Sequence, residues 1–170
     1  MEKRKKNAII LGLDPGTRST GYGLINVSGH SLEALDYGCI RPPANLPLNE
    51  RYLILFENLE ALLLKYAIDA VSIENQFVSR NAQSALKLAV AKGVLALAVT
   101  RKKIPLFEYT PKKAKLSIVG TGSASKEQVQ KMIQSLLSLK EAPVPEDASD
   151  ALALAICHSH HMNTLEVTHV

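Results

Sequence analysis

The chain lacks tryptophan and has only two cysteines, Cys39 and Cys157, among its 170 residues. The cysteines form neither a CxxC pair nor a zinc-ligand spacing, which disfavours a disulfide scaffold or a zinc site. Long apolar runs are also missing, because Val94–Val99 and Ala151–Cys157 fall well short of the roughly 18–20 residues of a membrane span. The first residues, MEKRKKNAIILGL, carry charge but no small-residue cleavage site. These absences predict a reduced, soluble, cytoplasmic protein with no membrane role.

The overall composition is that of a folded protein with a modest excess of positive charge. Hydrophobic residues make up 46% of the chain and charged residues 21%, and 20 Lys and Arg against 16 Asp and Glu give a net charge of +4. Basic residues cluster at Lys3–Lys6, Arg101–Lys103 and Lys112–Lys115. Such clusters either bind phosphates or simply solubilise a surface, and composition leaves both interpretations open. The length predicts one domain over residues 1–170, with a short basic N-terminal tail and a loose C-terminal tail from about 162.

The hydrophobic pattern predicts one mixed sheet flanked by helices. Five apolar segments have the pattern of strands: Ala8–Asp14, Tyr22–Val27, Leu35–Arg41, Ala70–Glu74 and Pro105–Tyr109. Helices are expected over Leu48–Tyr66, from a cap at Asn81 to about Thr100, after Thr110-Pro111, from a cap at Ser125 to about Leu139, and from Asp147 onward. The order favours antiparallel strands first and crossover strands later.

Four acidic residues stand at the ends of these predicted elements. Asp14 and Glu74 each close an apolar strand, and either one alone is also explained as a turn-forming or chance acid. Asp147 and Asp150 are three residues apart at the start of an apolar helix, so both carboxylates lie on one face. Asp147 also suits a helix cap, but a cap does not account for the pair.

Grouped carboxylates favour a particular chemistry. They repel and desolvate one another, and a hard divalent cation relieves both costs. Two such ions roughly 3.5–4 Å apart activate an attacking water and stabilise the leaving oxygen in phosphodiester cleavage. If the four acids meet, the sequence predicts a nuclease site with two Mg²⁺ ions, for which Mn²⁺ can substitute.

Four stretches of the chain resemble the RuvC family of bacterial crossover junction endodeoxyribonucleases, the Holliday junction resolvases. They are Leu11–Ile25, Ser72–Val94, Val119–Ile133 and Glu146–His160. They occur in the family's order and spacing, and together they are specific, whereas the DPGT motif alone is shared by unrelated families. The resemblance implies a ribonuclease H-like fold and structure-selective cleavage of branched DNA during recombination and repair.

The resemblance also implies roles for individual residues. The family's acidic quartet maps onto Asp14, Glu74, Asp147 and Asp150, as metal ligands and catalytic groups. Lys115 and Lys126 correspond to lysines that hold DNA phosphates, with Lys126 also stabilising charge at the scissile phosphate. Phe77 corresponds to an aromatic near the junction centre, where a ring can stack on an unpaired base. A solubilising lysine or a core phenylalanine is the ordinary alternative for each.

The resemblance also implies the partners, which are four-way junction DNA, a second copy of the chain, and the branch-migration proteins RuvA and RuvB. A four-way junction has approximate two-fold symmetry, and two subunits related by a two-fold axis place two sites on opposed strands. The small residues of the Asn81–Thr100 helix make it the candidate dimer interface.

Three alternatives differ from this prediction in substrate or chemistry. A YqgF-like nuclease acting on ribosomal RNA precursors shares the GLDPGT start but not the stretch after Glu74 or the DASDALALAICH end. An actin-like kinase or ATPase needs two domains and further glycine motifs. A junction-binding protein without catalysis accounts for the basic clusters but not for four carboxylates, which weaken phosphate binding unless a metal is present.

Overall fold

The computed structural model describes residues 7–75 and 81–167, with side chains as far as residue 162. Its strands are β1 (Asn7–Asp14), β2 (Thr20–Ser28), β3 (Ser31–Ile40), β4 (Ala70–Glu74) and β5 (Leu106–Tyr109). Its helices are α1 (Leu48–Lys65), α2 (Ala82–Arg101), α3 (Pro111–Val119), α4 (Lys126–Leu136) and α5 (Glu146–Val167).

The strands form a single mixed sheet in the order β3-β2-β1-β4-β5. β1 pairs antiparallel with β2 and β2 antiparallel with β3, while β1–β4 and β4–β5 are parallel. The predicted five-stranded mixed sheet, antiparallel first and crossed over later, is confirmed. β2 and β3 are longer than predicted, since their outer residues continue the hairpin ladder from Thr20↔Ile40 to Ser28↔Ser31.

Alternation along β1 and β4 divides the core into two layers. Leu11 and Leu13 of β1, with Val71 and Ile73 of β4, join the buried cluster that includes leucines of α1 and α2. The alternate residues of β1, Ala8 and Ile10, join the cluster formed with α4 and α5 on the other face. Asp14 and Glu74 continue this second set, so both are directed to the face that α5 covers.

Glycines let α5 lie directly on the strands. A β-carbon on Gly12 would lie 1.9 Å from the carbonyl oxygen of Ala151, and one on Gly23 would lie 2.7 Å from the backbone nitrogen of Leu152. Residues 151–159 of α5 are all buried as a result. The helix that carries two of the candidate acids is therefore held against β1 and β2 by backbone contact.

The observed starts of the helices match the predicted starts more closely than the observed ends match the predicted ends. Asn81, Thr110 and Ser125 cap α2, α3 and α4 through side-chain oxygens, as predicted. α4 ends at Leu136, a few residues early, and Ser138 then takes a left-handed φ of 51°. The segment predicted to be a loose tail from about 162 is helical as far as Val167, because no Pro or Gly interrupts α5.

α2 is long and apolar, yet the described part of the chain covers little of it. Only Ala91, Leu95, Ala98 and Val99 are buried. Among the described residues, α2 is the one helix apolar enough by length and composition to cross a membrane, with a mean hydropathy of 1.5 and 22% of that window buried. Leu86, Val90 and Leu97 are exposed and, at about 100° per residue, lie within about 40° of the helix circumference. We call these three side chains the apolar row of α2.

Candidate active site

Strand pairing places Asp14 beside Glu74. Leu13 of β1 pairs with Ile73 of the parallel strand β4, and the next residue of each strand is the acid. The two carboxylates therefore leave neighbouring strands at the same edge and on the same face of the sheet. The structure thus brings Asp14 and Glu74 next to each other, as the sequence pattern predicts.

The N-terminus of α5 brings the other two acids to this edge. A β-carbon on Gly21 would lie 1.9 Å from the carbonyl oxygen of Asp147, and Gly21 pairs with Asp14 across the β1–β2 ladder. Asp147 therefore sits above the end of β1, where the Cys39 thiol lies 4.0 Å from its Oδ2. Asp150, one helical turn later, faces the cleft beside β4.

One cleft of about 320 Å³ contains most of the predicted site residues. Its polar lining includes Asp14, Glu74, Asp150, Lys115 and Lys126, and its apolar walls come from α3, α4 and α5. Asp147 borders this cleft without lining it. Phe77 lies outside the described residues.

The electrostatics of Asp14 show that the four acids form one group. Burial, together with the negative charges of Glu74, Asp150 and Asp147, raises the pKa of Asp14 from 3.8 to about 8, and Lys126 opposes the rise. Burial and the charge of Asp150 likewise raise the pKa of Glu74. Burial raises the pKa of Asp150, with a smaller contribution from Asp147. Without a cation, the folded protein therefore disfavours full ionisation of this cluster.

Two lysines face the acids across the cleft. Lys115 of α3 and Lys126 of α4 both lower the pKa values of Glu74 and Asp150, against the effect of burial. Lys126 is also paired with Glu146, the first residue of α5. Both lysines are thus close enough to balance the carboxylates, and Lys126 is exposed enough to reach a bound phosphate.

The donor chemistry of the cleft fits a hard divalent cation. All the acidic donors are carboxylate oxygens, and the pKa of Asp14 is raised by burial and by the neighbouring negative charges, both of which a bound cation would offset. Over residues 7–75 and 81–162, no three His, Cys, Asp or Glu side chains already converge as a ligand set. Mg²⁺ is typically held by one or two carboxylates plus waters and substrate phosphate, so the open arrangement suits an ion shared with DNA.

Several residues near the site were not found from the sequence. Glu146 pairs with Lys126, Cys39 touches Asp147, and Arg51 of α1 donates to the carbonyl of Thr17 in the loop after Asp14. Each contact joins segments far apart in the chain, and no spacing rule signals it. Gly21 and Gly23 did leave a signal, since their i, i+2 spacing puts both on one face of a strand.

Comparisons with known proteins agree over nearly the whole chain. The family model for crossover junction endodeoxyribonuclease RuvC matches residues 10–158. The RuvC of Protochlamydia amoebophila is 56% identical over 151 residues, covering 89% of this chain and 90% of the relative. The RuvC of Desulfitobacterium hafniense is 44% identical over 157 residues, covering 92% of this chain and 95% of the relative.

A solved structure gives the same answer at the level of the fold. Thermus thermophilus RuvC, in complex with a Holliday junction substrate, superposes with a TM-score of 0.88 and 30% identity, covering 92% of this chain and 96% of that one. The likeness confirms the expected ribonuclease H-like fold. Motifs, strand order, the acidic cleft and these relatives lead to one assignment: the chain belongs to the RuvC family of crossover junction endodeoxyribonucleases.

Proposed function

We propose that the cleft between β1, β4 and α5 cuts one strand of a Holliday junction, and that two copies of the chain cut two strands. Family membership makes the chain an endodeoxyribonuclease of DNA recombination and repair that resolves such junctions. The observation that carries the assignment to this cleft is the meeting of Asp14, Glu74 and Asp150 with Lys115 and Lys126. Three carboxylates and two lysine ammonium groups in one open groove suit a metal-assisted reaction on a phosphodiester.

The family requires a divalent metal, and we propose two Mg²⁺ ions per site, with Mn²⁺ able to substitute. Asp14, Glu74, Asp147 and Asp150 would hold them, because these are the carboxylates that share one electrostatic environment. Bound there, the ions would activate the attacking water and neutralise charge on the leaving oxygen.

The side chains of the cleft have distinct proposed roles in the hydrolysis. Lys126 binds the scissile phosphate and offsets its growing negative charge, and Lys115 holds a phosphate nearby. The oxygen of water bonds to phosphorus while the bond to the 3′ oxygen breaks, and that oxygen receives a proton. The products are 5′-phosphate and 3′-hydroxyl ends that a ligase can rejoin. Phe77 is proposed to stack on an unpaired base at the junction centre.

We propose that α2 forms the interface of a homodimer. Residues 82–90 of α2 include no buried residue, although the apolar row occupies one side of the helix. A second copy packed on that row would remove exposed leucine and valine from water. A two-fold axis through this contact would also give the two sites that paired cleavage of a symmetric junction needs.

The remaining proposals concern setting and partners. The relatives are soluble enzymes acting on DNA, and we propose that this one works in the cytoplasm as a single domain over residues 1–170. RuvA and RuvB are the proposed branch-migration partners. Junction selectivity would come mainly from phosphate placement, since backbone contacts position DNA without reading sequence.

Cleavage of a synthetic mobile four-way junction tests the proposal. Wild-type protein with Mg²⁺ should make paired, symmetric nicks, and Asp14→Asn and Asp150→Asn should each reduce the rate at least about 1,000-fold. Both variants should still bind the junction, since removing a negative charge does not weaken phosphate contacts.

Three outcomes would overturn the proposal. Preferential cleavage of structured RNA would favour the ribosomal-RNA nuclease. Binding of the junction by a folded dimer without cleavage would favour the binding-only interpretation. Rapid ATP hydrolysis would favour the actin-like alternative.

A further inference from the structure

One lysine of α2 is directed at the end of the strand that carries Glu74. The Lys92 ammonium donates to Oδ1 of Asn75 at 2.9 Å and to Oε2 of Glu108 at 2.9 Å. Its side chain is only 23% exposed. Lys92 thus joins the middle of α2 to the C-terminal ends of two parallel strands, β4 and β5.

Asn75 is the residue that this contact controls most directly. Its backbone N–H donates to the carbonyl of Tyr109 at 2.8 Å, which extends the β4–β5 ladder one residue beyond Glu74. Its side chain is held by Lys92, and Lys92 is held in turn by Glu108 of β5. The position immediately after Glu74 is therefore fixed through both its backbone and its side chain.

The contact lies on the opposite side of the sheet from the cleft. Glu74 faces α5 and the cleft, and alternation directs its neighbour Asn75 toward the α2 side. Lys92 is consequently not among the residues that line the cleft, and it has no route to touch the scissile phosphate. Any effect of Lys92 on the reaction must pass through the placement of the end of β4.

Lys92 also has a defined place on α2 relative to the apolar row. At about 100° per residue, it lies some 120–160° further round the helix from that row's edges. α2 would therefore present one side to a second subunit and use the other to hold the end of β4. One helix would then contact both the second subunit and the end of β4.

We propose that Lys92 is a positioning residue that holds Glu74 in place through Asn75 and links that carboxylate to the dimer helix. This inference rests on the proposed function, in which Glu74 is a metal ligand and α2 the interface. A carboxylate displaced by about 1 Å can slow a metal-assisted reaction about 100-fold, although every reacting group is still present. The sequence shows nothing of this link, because residues 75, 92 and 108 are far apart in the chain.

The experiment compares Lys92→Met, which keeps the length of the side chain but removes its charge, with Lys92→Arg and Asn75→Ala. Lys87→Met is the matched control, since it removes the same charge from an exposed position on the same helix. Single-turnover cleavage at saturating junction and the junction dissociation constant are measured for all. The Mg²⁺ concentration that gives half of the Mg²⁺-induced rise in Tm is measured without DNA.

Lys92→Met should cleave about 10- to 100-fold more slowly and need several-fold more Mg²⁺, with a junction dissociation constant within about two-fold of wild type. Lys92→Arg should recover most of the rate, and Lys87→Met should match wild type. Lys92→Met combined with Asn75→Ala should be no slower than the slower single variant, because both remove one interaction.

Wild-type rate and Mg²⁺ requirement in a folded Lys92→Met protein would overturn the inference. So would independent, multiplying effects of Lys92→Met and Asn75→Ala, or a lowered Tm with no change in rate. If the wild type itself failed to cleave the junction, the proposed function would fail. The Mg²⁺ dependence of Tm would then still decide whether Lys92 positions Glu74.

Discussion

α2 and α5 are both long apolar helices, yet they lie in opposite environments. Residues 151–159 of α5 are buried without interruption, whereas α2 buries only four residues and exposes Leu86 and Leu97 to more than 60%. The difference arises at the sheet, because the glycines of β1 and β2 let α5 approach to backbone contact. α2 meets α1 and the edge of the sheet instead.

This difference in burial suits the two helices to different roles. Close packing fixes α5, so the carboxylates at its N-terminus are held in a constant position relative to Asp14. α2 keeps an apolar surface that the described residues leave exposed, which suits the proposed assembly. Substitutions in α2, at the N-terminus of α5 and in the strands beneath it test whether burial separates the two helices in this way.

The largest expected effect is on stability, from adding one methyl group beneath α5. Gly12→Ala would put a β-carbon 1.9 Å from the Ala151 carbonyl oxygen, so we expect a loss of about 3 kcal/mol or more in the free energy of unfolding. Gly93→Ala on α2 meets nothing within 4 Å in the single chain. Because Gly93 lies beside the apolar row, the comparison is made at protein concentrations at which the chain is monomeric, and there the change should be neutral or stabilising by up to about 1 kcal/mol. Urea unfolding at equal protein concentration measures both, and equal stabilities would contradict the close contact of α5 with β1.

The next effect concerns assembly. Replacing Leu86 and Leu97 together by Glu should weaken the proposed dimer by at least about 100-fold, because two charges would enter an apolar contact. The monomer should stay folded, since both side chains are exposed in the single chain. Sedimentation and circular dichroism measure the two properties. Leu64→Glu, at a 73% exposed leucine of α1, is the control, and an unaltered dimer in the double variant would place the interface elsewhere.

A smaller effect concerns the pH dependence of the metal-free protein. Because the pKa of Asp14 is raised from 3.8 to about 8, the folded state keeps a proton that the unfolded chain releases between these values. The stability associated with this proton is complete below about pH 4 and is lost as the pH rises through about 8. Asp14→Asn should remove this pH dependence of stability. It should raise the Tm at pH 8.5 by roughly a few degrees and change it little near pH 4.

Thermal unfolding in the presence of a chelator measures this difference. Mg²⁺ should raise the Tm of the wild type more than that of Asp14→Asn, since the cation offsets the burial and repulsion of the ionised Asp14 carboxylate. If Tm depended on pH in the same way for both proteins, Asp14 would not be the acid of the cluster whose pKa is raised.

The smallest effect is expected at the entrance of α5. Glu146→Gln removes the ion partner of Lys126 and one negative charge beside the cleft, so junction affinity should rise about two- to five-fold at low salt. The gain should shrink at higher salt, because both side chains are largely exposed. Fluorescence anisotropy at two salt concentrations measures it, and Lys126→Gln should change affinity in the opposite direction. An unchanged affinity would mean that Glu146 does not compete with phosphate for Lys126.

Much of the fold could be predicted because its signals are local. β4 was predicted with the residues it has, and the caps of α2, α3 and α4 could be read from Asn81, Thr110 and Ser125. The end of α4 and the extension of α5 were missed, since helix ends depend on weak local preferences. The predicted strand Tyr22–Val27 omits Gly21, whereas the hairpin ladder includes this residue in β2.

The candidate site was predictable to a similar extent, for a different reason. Strand-end acids and an i, i+3 pair have recognisable places in the chain, and the structure brings Asp14, Glu74 and Asp150 to one cleft. The contacts of Lys92 and Glu146 had no such pattern. Their partners are fixed by how helices pack across the sheet, which no short stretch of sequence encodes.

By itself, the sequence determined the alternation of strands and helices, the caps, the family and the four acids, because each depends on residue type at short spacing. Only the tertiary structure decided that α5 is buried while α2 is exposed, and that Asp14 shares its charge environment with three other acids. The physical reason is that burial and electrostatic coupling depend on distances between segments far apart in the chain. Those distances are set here by backbone contact at Gly12, Gly21 and Gly23.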